Sequence, residues 1–271
     1  MNHHRVKPDQ HLKLNDHDAQ DTGEYQAEGE AKERTEHLRQ KLDALQERLY
    51  AEGTRAVLVV FQGMDTSGKD GTIRHVMSGV NPQGCIVTSF KAPTPTEKSH
   101  DFLWRVHAAC PPRGYIGIFN RSHYEDVLIT RAHDEITDKE AQRRMRQIRD
   151  FEKMLTESGT RILKFFLHLS KDEQKARLLA RLDRPEKRWK FSQQDIAERV
   201  FWKAYRKAYE EAISATSTKE APWFVVPSDH KWYRNLVVAE HLVQALEEMD
   251  PHPPKLKGLD WGKLRQDVSE S

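Results

Sequence analysis

Ala56-Val-Leu-Val-Val-Phe61-Gln-Gly63-Met-Asp65-Thr-Ser-Gly68-Lys69-Asp70-Gly71-Thr72 is the stretch that decides the fold of this chain. Its first six residues are apolar and rich in valine, the pattern of a short strand buried on both faces of a parallel sheet. They run directly into glycine, four residues, glycine-lysine, which is the spacing of a phosphate loop. Glycines let backbone N–H groups turn inward around phosphate oxygens, and the following helix presents its positive N-terminus to them. Lys69 is placed to reach the outer phosphates as a point charge. Gly63, Met64, Thr66, Ser67, Gly68, Asp70, Gly71 and Thr72 are the positions expected to line the phosphates. Asp70 stands where a serine or threonine hydroxyl usually serves Mg²⁺; its carboxylate either holds a metal or points away. Asp65, inside the loop, is the other metal candidate, and its alternative role is a turn carboxylate capping the helix.

Outward from the loop, strands alternate with helices. Further strands are expected at 86–90, 115–119, 161–169 and 223–227. Helical periodicity fills 31–50, 70–79, 96–109, 138–158, 171–182, 193–214 and 231–249. In the first of these, Leu38, Leu42, Leu45 and Leu49 form one apolar stripe and Gly53 supplies the stop. Such alternation predicts an α/β fold, a parallel sheet flanked by helices on both faces. Residues 31–250 form the folded domain, residues 1–30 a polar tail or an arm over its surface, and 251–271 a polar tail after Pro251, Pro253 and Pro254.

The third strand ends in Asn120-Arg121-Ser122-His123-Tyr124-Glu125-Asp126. Ligands of parallel sheets bind beyond the carboxyl ends of the strands, so this cluster is expected to face the phosphate loop. The fork of Arg121 suits phosphoryl oxygens. Glu125 and Asp126 either serve Mg²⁺ directly or through water, orient the acceptor, or are acidic first-turn residues of a helix. His123 reads as a packing residue rather than an acid or base.

The chain's charges balance: 44 lysines and arginines face 42 acids among 271 residues, but they are spread unevenly. Residues 1–30 carry seven acids and three bases, with four histidines (His3, His4, His11, His17) whose spacing fits no metal site. Residues 171–207 carry twelve bases and six acids, densest at Arg181-Leu-Asp-Arg-Pro-Glu-Lys187-Arg188-Trp-Lys190. Pro185 favours a loop there, and an anion is the expected partner. No apolar run approaches the ~20 residues of a membrane span, and no apolar segment follows the first residues as a secretory signal requires. Cys85 and Cys110 make neither a disulfide framework nor a zinc motif. A cytoplasmic protein is the expectation.

Three segments, F-Q-G-M-D-T-S-G-K-D-G-T, F-N-R-S-H-Y-E-D-V and R-L-D-R-P-E-K-R-W-K-F-S, occur in order at matching distances. Together they resemble the polyphosphate kinase 2 family over about residues 30–250. The resemblance implies a thymidylate-kinase-like, P-loop kinase-like three-layer fold with a helical lid at about 181–195. It implies phosphoryl transfer between inorganic polyphosphate and AMP, ADP or ATP, with Mg²⁺ or Mn²⁺, in a homo-oligomer, dimer or tetramer. By the same resemblance Asp65, Lys69, Arg121 and Arg181 are catalytic, and Lys187, Arg188 and Lys190 form the basic lid. Lys91 matches a further basic position. Many members have aspartate where this chain has Asn120, which speaks against a metal role at that position. His123-Tyr124-Glu125, in place of a frequent Trp-Tyr-Asn, resembles the class III subgroup that phosphorylates both mono- and diphosphates.

Two competitors remain at this stage. An ATP-dependent nucleotide kinase shares the loop but should carry a hydroxyl in place of Asp70. A nucleic-acid-binding protein explains the basic stripe but not the loop; no specific nucleic-acid partner is expected.

Overall fold

All seven residues of β1, Ala56–Gln62, are buried, because the strand lies at the centre of a sheet covered on both faces. The computed structural model describes residues 4–271, with only the backbone of Lys190. His3 and the Lys190 side chain therefore lie outside the described residues. The chain runs through α1 (Glu28–Glu52), β1, α2 (Lys69–Val76), β2 (Cys85–Ser89), α3 (Pro95–Lys98), α4 (Trp104–Ala108), β3 (Ile116–Asn120), α5 (Glu125–Ala132) and α6 (Asp138–Glu157). It continues through β4 (Thr160–His168), α7 (Lys171–Leu182), α8 (Gln193–Ala197), α9 (Trp202–Thr216), β5 (Trp223–Pro227), α10 (Lys231–Met249) and α11 (Trp261–Glu270).

The sheet has the order β2-β3-β1-β4-β5 and every pair of neighbouring strands is parallel. β1 therefore has β3 on one side and β4 on the other, and the chain reverses its direction of winding there. Strand alternation splits the core in two. Val57, Val59 and Phe61 face the layer of α1, α2 and α10. Leu58 and Val60 face the layer of α5, α6 and α9. The α1 leucines are buried as the stripe predicts. Gly53, at φ 64°, ends the helix in the left-handed conformation.

The five expected strands are present within a residue or so. The helices at 96–109 and 193–214 are broken. Thr94 closes a capping box on α3, and the Asp101 carboxylate accepts from Leu103 N, so new turns start where periodicity alone read one helix. The second is interrupted by a 3₁₀ turn at Glu198–Phe201. Residues 185–190 form a 3₁₀ turn after Pro185 rather than an open loop. The C-terminal segment is not only a tail: the Asp260 side chain accepts from Lys263 N and starts α11, an exposed helix.

Of the two readings for residues 1–30, the arm describes 4–27. Val6, Leu12 and Leu14 are each about 1% exposed and join the α5/α6/α9 side of the core. Val6 N donates to Trp223 O at 2.9 Å and Val225 N to His4 O at 2.8 Å, so the arm bridges the β5 edge of the sheet.

Candidate active site

The phosphate loop leaves β1 at Gly63 and enters α2 at Lys69. Its shape requires its glycines. At Gly63 a Cβ would lie 2.9 Å from Leu167 O, and at Gly68 (φ 102°) it would lie 2.0 Å from Arg234 Nη1. Thr66 adopts φ 67°, a costly conformation for a β-branched residue that the surrounding contacts must hold. The Thr66 Oγ1 and Ser67 Oγ hydroxyls are buried with no hydrogen-bond partner among the described residues. Lys69 folds over the loop: its Nζ donates to Gly63 O at 2.6 Å and Met64 O at 3.4 Å. Burial, then the charge of Arg121, pushes its ammonium down to about 8.

β3 delivers the second motif against this loop. Arg121, at φ 62°, anchors its own N–H on Phe61 O at 3.1 Å. Its guanidinium donates to Asp65 Oδ1 at 2.9 Å and Glu125 Oε2 at 3.3 Å. Burial works against the charge of Arg121, but Glu125 and Asp65 outweigh it and raise the pKa above the ordinary value. Asn120 Nδ2 donates to Asp70 Oδ1 at 2.5 Å. The residue that replaces the usual hydroxyl is thus turned toward β3.

Behind Arg121 the motif is rooted in a buried polar cluster. Lys164 Nζ donates to Glu152 Oε2 at 2.5 Å, to Tyr124 Oη at 3.1 Å and to Thr216 O at 2.8 Å. Tyr124 Oη donates to Glu152 Oε1 at 2.8 Å, and His123 Nε2 lies 3.4 Å from that oxygen. Burial opposes ionisation of Glu152, but Lys164 and His123 overcome it and hold the carboxyl below its usual range. His123 is fully buried in this cluster.

Among the described residues, two large cavities open at the carboxyl end of the sheet. One of about 640 Å³ is lined by the loop together with Lys91, Asn120, Arg121, Arg181 and Trp189. The other, about 1010 Å³, runs between the 90–105 segment and α5/α6, past Lys91, Phe102, Arg105, Arg121, Glu125 and Arg144. Asp126 lines the larger cavity, and burial raises the pKa of its carboxyl above the ordinary value. Among the described residues no three acids, histidines or cysteines converge as a metal cluster.

The basic segment at 181–190 is only partly turned inward. Arg181 faces the loop cavity and lies 3.7 Å from Asp195. Arg188 instead donates to Leu182 O at 2.8 Å, and exposed Lys187 lines neither cavity. Trp189, Phe102, Arg105 and Arg144 were not anticipated from sequence. Trp189 lies inside the basic run, so that run was itself the available signal. Arg105 and Arg144 stack over Phe90 and Phe102, a pairing with no sequence spacing to reveal it.

A central parallel strand feeding a phosphate loop and facing an arginine-bearing motif, with Arg181 over the loop cavity, defines a P-loop kinase-like phosphotransferase. A profile of the Polyphosphate kinase 2 family matches residues 24–254, and the chain belongs to that family. It is 50% identical over 256 residues to an AMP/ADP-polyphosphate phosphotransferase of Meiothermus ruber, covering 94% of this chain and 96% of that one. It is 50% identical over 228 residues to an ADP-polyphosphate phosphotransferase of Rhodopseudomonas palustris, covering 80% and 79%. A crystal structure of polyphosphate kinase 2 from Arthrobacter aurescens superposes with a TM-score of 0.95 at 44% identity, covering 99% of this chain and 95% of that one.

Proposed function

We propose that this chain moves a phosphoryl group between inorganic polyphosphate and AMP or ADP, with polyphosphate in the loop cavity and the nucleotide in the larger one. Beyond the family membership, one observation carries the reading: Arg121 lines both cavities. Donor and acceptor would then meet at a single guanidinium. Phosphoryl transfer needs positioning and charge stabilisation more than covalent chemistry. The attacking oxygen belongs to the nucleotide's terminal phosphate, largely ionised near neutral pH, so no strong general base is required. Lys69 would turn from Gly63 O to the transferring phosphate, Arg121 would orient both partners, and Arg181 would close the outer side. The lid segment around Trp189 would exclude water and limit hydrolysis.

The donor set fits Mg²⁺, or Mn²⁺ in its place. Asp65 and Glu125 flank the junction, and two carboxylates suit an ion carried largely by phosphate oxygens and water. When bound, the ion would supply charge neutralisation across the phosphates. The relative named for both AMP and ADP, and the His123-Tyr124-Glu125 sequence, support acceptance of both nucleotides.

The test is to incubate the protein with polyphosphate, Mg²⁺ and either AMP or ADP, without ATP, and to resolve the products. The expected products are ADP and ATP, matched by loss of polyphosphate. Transfer from ATP alone, with polyphosphate inert, would return the chain to the ordinary nucleotide kinases.

A further inference from the structure

Two arginines outside all three sequence motifs grip the back of the phosphate loop. Arg177, from α7, donates through Nη1 to Thr66 O at 3.0 Å and Ser67 O at 3.3 Å. Its Nη2 ties the loop to Ser228 O at 2.6 Å and Asp229 O at 2.9 Å, and its Nε meets Glu173 at 2.7 Å. Arg234, from α10, donates through Nη1 to Ser67 O at 3.0 Å, while its Nη2 and Nε meet Asn235 Oδ1 at 3.0 and 3.3 Å. Neither side chain lines a cavity of the site.

The two differ in charge balance. Arg177 has Glu173 beside it. Arg234 is 3% exposed, and among the described residues no carboxylate pairs with it. Burial first, then the charge of Arg177, pushes it down to about 9, and Lys231 and His75 are cationic or titratable neighbours that feel its charge as well. A guanidinium still carries its charge at neutral pH, and an unmatched buried charge destabilises a fold. Two features show what the position offers in return. A Cβ at Gly68 (φ 102°) would lie 2.0 Å from Arg234 Nη1, so any side chain there would have to push the guanidinium aside. And because the C=O and N–H of a trans peptide point in opposite directions, fixing Ser67 O on the arginines turns Gly68 N–H away from them. Gly68 itself lines the loop cavity.

We propose that Arg234 is a positioning residue of the phosphate loop: it sets the Ser67–Gly68 peptide for anion binding, and its buried charge is matched only when a phosphate occupies the loop. The proposal rests on the reading that this loop holds phosphate. It assigns to α10 a part of the site that neither the motifs nor the cavity linings contain.

The experiment compares the parent with Arg234→Met, Arg234→Lys and Lys69→Ala. Each is titrated with inorganic triphosphate and Mg²⁺ by calorimetry, and each is unfolded in urea without any anion. In Arg234→Met the Kd for triphosphate is expected to rise about tenfold or more, as for loss of a charge-assisted contact. In Arg234→Lys, which keeps the charge, the rise is smaller. Without anion, Arg234→Met should unfold at the same urea concentration as the parent or a higher one, since it removes an unmatched charge. An ordinary structural arginine cannot give that opposite movement of stability and affinity. An unchanged Kd in Arg234→Met overturns the proposal, and so does a failure of that variant to fold, because the empty fold would then need the residue. An equal rise in Arg234→Lys also overturns it, because shape rather than charge would then matter. Lys69→Ala separates the two levels. If it loses triphosphate while Arg234→Met keeps it, only this proposal falls; if it binds like the parent, the phosphate-loop reading falls as well.

Discussion

Arg121 reaches from the end of β3 to Asp65, in the loop after β1, at 2.9 Å, and that contact joins the two motifs into one site. The carboxylate is therefore engaged before any metal or substrate arrives. Asp65→Asn should weaken the hold on Arg121 and remove one of the two carboxylates proposed to hold Mg²⁺. Turnover is expected to fall about tenfold or more, with half-saturation at a higher Mg²⁺ concentration. Initial rates across a Mg²⁺ titration check this, and an unmoved titration would leave Glu125 as the main donor.

Lys69→Met should lower transfer by about 10²–10³-fold, the range for removing one pre-placed charge from a transition state. Its fold should survive, since among the described residues the Lys69 ammonium donates only to loop carbonyls.

The same lysine gives a pH dependence of stability. Its folded pKa, about 8, lies below the ordinary 10.5. Between those values the unfolded chain binds more protons than the folded one, so this residue makes stability rise with pH across about 8 to 10.5. Below 8 its buried charge is a constant cost. Cys85 and Cys110, pushed by burial up to about 11 and 12, act in the opposite sense at the top of that window. The parent minus Lys69→Met difference isolates the lysine. Urea unfolding at pH 7, 8.5 and 10 should show that difference growing in the parent's favour, and a flat difference would count against it.

Glu152 and Lys164 are about 2% and 0% exposed and depend on one another. Lys164→Met strands a buried carboxylate and should cost about 3–5 kcal/mol. Lys164→Met with Glu152→Met should cost clearly less than the sum of the single changes. Urea unfolding of the set gives the coupling directly; additive losses would mean that the pair does not act as a unit.

The basic segment at 181–190 predicts a split in kinetics. Arg181 faces the loop cavity, whereas Arg188 is turned onto Leu182 O. Arg181→Ala should lower kcat, while Lys187→Ala with Arg188→Ala should raise KM for long polyphosphate and leave kcat nearly unchanged. The reverse pattern would move the transferring group to the other end of the segment.

What the sequence disclosed follows from the range of the interactions. The β1-loop-α2 unit is legible because strand, turn and helix chemistry act within seventeen consecutive residues. The facing of Arg121 toward the loop follows from strand topology alone. Arg177 and Arg234 were not legible. Their acceptors are backbone carbonyls 111 and 167 residues away, and a carbonyl leaves no trace in the identity of its residue. The arm was only half read, because Val6, Leu12 and Leu14 pack without helical or strand periodicity in a stretch dominated by charge. The break at Asp101 and the helix start at Asp260 are not legible in periodicity, because each is decided by one side chain accepting one N–H.

The arm carries a consequence of its own. An open sheet has two bare edges, each a template on which another chain can form a ladder. Here the arm occupies the β5 edge and seats its apolar residues beneath it. Removing residues up to Ala19 would strip that edge and empty the sockets of Val6, Leu12 and Leu14 at once. The damage would then appear as self-association and precipitation of the shortened chain, while the molecules still dispersed kept an intact phosphate loop.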